Sequence, residues 1–256
     1  MLDRIIAVKH EEMARFNMPE DQKFNNVSFV TSLQNPTHEI GLIAEVKKAS
    51  PSKGIINDNF DPVEVAEAYE KAGADAISVL TDETFFKGTN SFLTEVKKHV
   101  NLPILRKDFI IDERQIEESK RIGADAILLI VRALGVQKTK EFYHLAASFG
   151  LECLVEVHSE EELKELTASF TPAVIGVNNR NLATFETSTK QTHMLSRYIP
   201  ESTLLISESG ISTYDDIQDV KKAGSSAVLV GEALMRGGTY EAGIRRLFGE
   251  SAHENA

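Results

Sequence analysis

A chain of 256 residues has room for one large α/β barrel or two small domains, and 42% hydrophobic with 26% charged residues is a globular composition that excludes disordered and fibrous classes. The 39 acidic and 28 basic side chains give a formal charge of −11, which repels nucleic acid, and no Lys/Arg stripe interleaved with aromatics offsets it. The single cysteine, Cys153, excludes an internal disulfide and multi-cysteine metal sites; with no signal peptide and no apolar run of the ~18 residues a membrane span needs, the expected setting is cytoplasmic, without membrane partners.

Residues 1–40 carry an amphipathic pattern (Leu2, Ile5, Ile6, Val8, Met13, Phe16) and are expected to form a helical extension packed on or over the rest of the fold. Short apolar, β-branched runs then recur at 42–46, 75–81, 103–107, 125–131, 152–157, 173–178, 203–208 and 226–231. Between them lie amphipathic segments near 62–72, 90–99, 112–122, 137–149, 159–168, 188–199, 213–223 and 239–248. The joint between helix and strand repeats as GADAISVL from Gly73, GADAILLI from Gly123 and, more weakly, AGSSAVLVG from Ala223. Asp61-Pro62 supplies a helix start, and Ser159 with Glu162 has capping-box spacing. The count predicts an α/β fold of the (β/α)8 TIM-barrel class, with residues 1–256 as one domain and 1–40 as its extension. Lys48–Phe60, rich in Ser, Pro, Gly and Asn, is a long connection expected to act as a lid.

In such a barrel the chemistry collects at the C-terminal ends of the strands. Period-two alternation puts Ile43, Glu45 and Lys47 on one face of the first strand, Leu154, Glu156 and His158 on one face of the fifth, Asn178 and Arg180 on the sixth, and Leu204, Ile206 and Glu208 on the seventh; Lys107 and Asp108 stand at the exit of the third. Any one of these charges is as readily a rim ion pair; five strands together point to a site, in which clustering is expected to depress lysine pKa values and raise that of one glutamate. Gly210 and Gly231, at the exits of strands seven and eight, are individually ordinary turn glycines, but together they suggest a phosphate cradle, with Glu232–Arg236 as a short helix facing it. The seven histidines show no metal-ligand spacing, no G-x-G-x-x-G follows a strand, and Cys153 is out of register with Glu156. His158 reads as a strand-end packing residue or a base.

The segments AEVKKASPSKG from Ala44, SVLTDETFFKG from Ser78, LRKDFI from Leu105, LVEVH from Leu154, GVNNRNLATF from Gly176, SESGI from Ser207 and VGEALMR from Val230 resemble the indole-3-glycerol phosphate synthase family, in order and over nearly the whole chain. The resemblance implies cyclisation of 1-(2-carboxyphenylamino)-1-deoxyribulose 5-phosphate with loss of CO2 and water, without a cofactor or metal. It implies a reacting set of Glu45, Lys47, Lys107 (the general acid), Glu156, Asn178 and Glu208; a phosphate site from Ser50, Lys53, Arg180, Ser209, Gly210, Gly231 and Glu232; and a ring pocket from Phe85, Phe109, Leu182 and Ile211. A small molecule is thus the expected partner, with a monomer as the favoured state. The rivals are another phosphate-binding barrel, such as a phosphoribosylanthranilate isomerase, and a barrel that binds a sugar phosphate without turnover.

Overall fold

Gly73, Gly123 and Gly224 occupy the same joint of the repeated unit, and all three take left-handed backbone, with φ of 88°, 100° and 91°. Each ends a helix and hands the chain to a strand. In this computed structural model, which describes residues 1–50, 54–55, 60–181, 186–235 and 238–250, the strands are β1 (Gly41–Val46), β2 (Ala76–Leu80), β3 (Ile104–Lys107), β4 (Ala126–Ile130), β5 (Glu152–Val157), β6 (Val174–Asn178), β7 (Leu204–Glu208) and β8 (Ala227–Val230). They pair in parallel in chain order and close, β8 against β1, into a TIM barrel. The helices are α1 (Leu2–Ala14), α2 (Phe29–Gln34), α3 (Pro62–Lys71), α4 (Glu83–Phe86), α5 (Asn90–His99), α6 (Glu113–Arg121), α7 (Val131–Ser148), α8 (Glu160–Ser169), α9 (Lys190–Ser196), α10 (Tyr214–Lys222) and α11 (Tyr240–Leu247).

Several segments depart from the sequence expectation for local reasons. α7 begins at Val131, not 137, because its first turn is joined across Gly135, whose φ of 72° and ψ of 159° break the helix. α9 begins late because Thr187 bridges Arg180 and the Ser188 N–H donates to the Asn179 carbonyl (3.1 Å), drawing 186–188 back to the exit of β6. In place of a short helix after Gly231, the described residues form a turn in which Leu234 and Met235 both donate to the Gly231 carbonyl. Within the long connection, Ala49 and Ser50 pair with Ile55 and Gly54 in a two-residue ladder; the rest of the expected lid, including Lys53, lies outside the described residues.

Alternation divides each strand between two cores. Leu42, Ala44, Ile77, Val79 and Val155 face the helices, whereas Ile43, Leu105, Leu128, Leu154, Ile206 and Leu229 fill the barrel. The extension straps this barrel from both ends. Met1, Leu2 and Ile5 of the α1 segment stand over the cavity at the C-terminal strand ends, while Phe29 and Leu33 of α2 are fully buried against the interior cluster. The strap is held by carboxylates at the strand starts, two of them from the repeated GADA motif. Asp75 accepts from the N–H groups of Thr37 and Leu42, each at 2.8 Å; Asp125 accepts from Val27 N–H (2.9 Å), Ile104 N–H (2.8 Å) and Lys97 Nζ (2.6 Å); Glu152 accepts from Ser28 Oγ (3.0 Å) and Val30 N–H (2.9 Å). Such charge-assisted bonds contribute about 1.5–3 kcal/mol each.

Because Phe29 plugs the interior, Phe29→Ala should lower the unfolding free energy by about 3–5 kcal/mol, the usual cost of emptying a buried aromatic site. Urea denaturation measures it; a loss under about 1 kcal/mol would make α2 a peripheral decoration.

Candidate active site

The inward register delivers one charged layer to the C-terminal mouth. Lys107 ends β3 with its Nζ 3.9 Å from Glu156 Oε2 on β5 and 3.8 Å from Glu208 Oε2 on β7. Glu45 on β1 is hydrogen-bonded by Lys47 two residues on, the spacing that keeps both on one face of an extended chain. Asn178 pairs in register with Glu208, and its Oδ1 accepts from the Arg180 N–H at 3.0 Å. All seven of these side chains line one cavity of about 650 Å³, the size of a small-molecule site. His158 lines it too. Its Nε2 lies 3.2 Å from Glu156 Oε1, yet among the described residues neither ring nitrogen has a hydrogen-bond partner of good geometry. The Ser159–Glu162 cap forms only in part as the spacing suggests. Ser159 Oγ accepts from the Glu162 N–H, but the Glu162 carboxylate reaches past Ser159 to the His158 N–H at 2.7 Å, fixing the backbone beneath the imidazole.

Electrostatics separate these groups. Burial opposes the charge of Lys107, but the carboxylates of Glu156, Glu208 and Glu45 outweigh it and hold the ammonium above the usual lysine value, opposite to the depression expected from sequence. Burial also works against Glu45, and the charges of Lys47, Lys107 and Arg180 overcome it, so this carboxyl is held below its ordinary range. Glu208 is pushed well above that range by burial and by Glu156, with Lys107 opposing. Among the described residues no N–H or hydroxyl donates to either oxygen of Glu208, so no such bond relieves the burial of its charge. The Lys107 ammonium, the Glu45 carboxylate and the readily protonated Glu208 thus share a single space with Lys47, Arg180 and Glu156. Cys153 faces the outer core, and burial pushes its thiol up, away from nucleophilic use.

The remaining predicted positions divide. Ser209, Gly210, Gly231 and Glu232 line the cavity at the exits of β7 and β8, and Ser209 and Gly210 take consecutive left-handed conformations, φ 68° and 76°. Phe109 and Ile211 form part of its apolar wall. Phe85 does not line it; Phe86 does, because adjacent residues on the single turn of α4 point about 100° apart, and Phe85 meets the Arg4 guanidinium at 5.8 Å instead. Lys53, Leu182 and the side chain of Ser50 lie outside the described residues. Sequence reasoning missed Leu128, Ile130 and Leu229 on the floor, although strand alternation could have found them, and Met1, Leu2 and Ile5 overhead, which no local pattern signals. It also missed what fixes the roof. Buried Lys9 of α1 sits 3.1 Å from Asp82 Oδ2 and 2.9 Å from Asp108 Oδ1, joining the helix to the cap of α4 and to the residue after Lys107.

A family model for indole-3-glycerol phosphate synthase matches residues 2–247. Curated relatives named indole-3-glycerol phosphate synthase are 58% identical in Halalkalibacterium halodurans, over 97% of each chain, and 56% identical in Priestia megaterium, over 99% of each chain. Among solved structures, a mutant tryptophan synthase alpha-subunit from Pyrococcus furiosus superimposes with a TM-score of 0.62 at 18% identity, covering 82% of this chain and 98% of that one, a likeness of fold alone. With the matched region running from α1 through α11 and more than half of all residues shared with relatives of equal length, the chain belongs to the indole-3-glycerol phosphate synthase family.

Proposed function

We propose that the chain closes the indole ring of 1-(2-carboxyphenylamino)-1-deoxyribulose 5-phosphate, releasing CO2 and water to give indole-3-glycerol phosphate, in the cytoplasm, as a monomer and as a single barrel domain with residues 1–40 strapped over it. The observation that carries this reading is the ammonium of Lys107 held within 4 Å of two carboxyl groups in a cavity with an apolar wall and a glycine-lined edge. The ring carbon bearing the carboxylate attacks the C2′ carbonyl, and Lys107 gives its proton to the forming alkoxide. Attack leaves positive charge on the ring system, which Glu45 and Glu156 offset; departure of CO2 removes it. The new hydroxyl then takes a proton from the Lys47 ammonium beside it and leaves as water, and a glutamate takes a proton from the adjacent carbon of the new ring. Atoms balance with CO2 and water alone, so no redox partner enters.

Asn178 and the readily protonated Glu208 are suited to the sugar hydroxyls. Arg180 and the backbone of Ser209, Gly210, Gly231 and Glu232 are suited to the phosphate, with Ser50 and Lys53 from the long connection. Phe109, Ile211 and Leu182 are assigned to the aromatic ring, with Phe86 in place of Phe85. Formation of a fluorescent indole product from the carboxyphenylamino substrate tests the reading directly, and binding without turnover would overturn it.

Lys107→Met should abolish turnover while phosphate-dependent binding survives; more than about a tenth of the parental kcat would remove Lys107 from the acid role, since such catalysis contributes ~10²–10⁴-fold. Arg180→Ala should raise KM more than it lowers kcat, because phosphate contacts are much alike in ground and transition states; a fall in kcat at constant KM would place Arg180 in the chemical step. Glu208 gives a stability signature. Its folded-state pKa is raised, so its contribution is fully present below the unfolded value and is lost as pH climbs through the folded one. Glu208→Gln does not titrate, so its Tm relative to the parent should rise as pH climbs above the ordinary glutamate value of about 4.3; a constant difference would mean that Glu208 titrates alike in both states.

A further inference from the structure

Two glycines of the inner wall have no backbone reason to be glycine. Gly176, in the middle of β6, and Gly231, just past β8, are absent from the positive-φ glycines, so an L residue would fit either backbone. Space is what forbids it. A Cβ built on Gly176 would lie 1.9 Å from Glu208 Oε1, and one on Gly231 would lie 2.5 Å from Glu45 Oε2. Register explains the first contact. Gly176 stands opposite Glu156 on β5 and Ile206 on β7, two residues below the Asn178–Glu208 pair, so its missing side chain leaves a gap in the inner wall beneath Glu208. The Glu208 carboxyl folds back into that gap, fully buried and without an N–H or hydroxyl donor among the described residues, and this brings its Oε2 to 3.8 Å from Lys107. Among the described residues no N–H or hydroxyl donates to either oxygen, so apart from the neighbouring Glu156 carboxyl it is the shape of the wall that fixes its place.

We propose that Gly176 is a positioning residue for the reaction: by having no Cβ it seats the Glu208 carboxyl beside Lys107. The inference rests on the reading of Glu208 as part of the reacting set. A methyl at position 176 drives the carboxyl out of its seat and also presses Leu154 Cδ1 at 3.1 Å, the end of a flexible side chain that can yield. The displaced carboxyl must move by an ångström or more, a shift that costs about 10²-fold in rate when it occurs at reacting groups.

The test is a double-mutant cycle of Gly176→Ala and Glu208→Ala, read by steady-state kinetics with the carboxyphenylamino substrate and by thermal unfolding. Gly176→Ala alone should lower kcat by about 10²-fold with KM changed less than about threefold, and lower Tm by roughly 2–10 °C, as overpacking does. In the Glu208→Ala background the methyl enters vacated space, so it should cause no further loss of kcat and should leave Tm unchanged or higher. Additive losses of kcat, or a Tm penalty of equal size in both backgrounds, would overturn the proposal, as would a Gly176→Ala enzyme within about twofold of the parent. If Glu208→Ala retained full activity, the assignment of Glu208 would fall separately; the Tm cycle would still decide the contact, a penalty confined to the Glu208 background upholding the seat and an equal penalty overturning it.

Discussion

The interaction on which the rest of the molecule depends is the buried ammonium of Lys107 among Glu156, Glu208 and Glu45. Charges removed from water cost several kcal/mol each, and the return is large only where geometry is fixed. A loop could not fix it. Here three of the four groups come from β3, β5 and β7, and the fourth from β1, so the distances between them are set by the closure of the sheet and not by side-chain choice. The barrel's interior below them is filled by the apolar side chains of Ile43, Leu105, Leu154 and Ile206, which offer the cluster no polar partner from beneath.

That rigidity has to be maintained at both ends of an open cylinder. At the bottom, α2 seals the interior with Phe29 and Leu33 and is tied by Glu152. At the top, Lys9 reaches through to Asp82 and Asp108, and these three charges are nearly fully buried together. Burial disfavours the Lys9 ammonium, but Asp108 and Asp82 more than compensate and raise its pKa; Asp108 is correspondingly lowered, with Arg106 and Thr81 adding to the pull of Lys9. Lys9 and Asp108 therefore stay ionised across the neutral range, and the clamp they form with Asp82 holds the residues beside Lys107 and at the start of α4 without depending on a proton held in the cavity. Separating the Lys9–Asp108 ion pair from a cluster containing a readily protonated carboxyl lets the site change protonation while its roof stays in place.

The barrel was legible because its two periodicities are strict. Each apolar run fell within one residue of an observed strand, and the alternation that put Glu45, Glu156, Asn178 and Glu208 on shared faces requires only that a strand have a period of two. The less legible parts all involve short range or long range. Phe85 against Phe86 is decided by which side of a single helical turn faces inward, and a four-residue helix has too little pattern to tell. Lys9 and Asp108 are 99 positions apart, and nothing in an amphipathic N-terminal helix announces that one of its lysines will be buried. The sign of the Lys107 shift was missed for another reason: the spacing revealed that carboxylates converge on it, but whether burial or their attraction dominates depends on distance, which a sequence does not contain.

The consecutive residues Arg106, Lys107 and Asp108 make the same point at its smallest scale. In sequence they are three charges in a row at a strand end, equally eligible for chemistry. Alternation sends Arg106 outward, where its guanidinium is taken up by Ser119 Oγ (3.0 Å), the Gln115 carbonyl (3.1 Å) and Glu118 (2.8 Å). Asp108 is taken up by Lys9 and by Thr81 Oγ1 at 2.6 Å. Both neighbours are thus consumed in holding β3 to α6 and α1, with hydrogen bonds of ordinary length. Lys107 alone has ion-pair distances near 4 Å, too long for a hydrogen bond, and retains side-chain exposure of 17%. A buried cation in contact with carboxylates yet bonded to none of them keeps its donors available to a third party, and that is the physical difference between a structural charge and a reactive one.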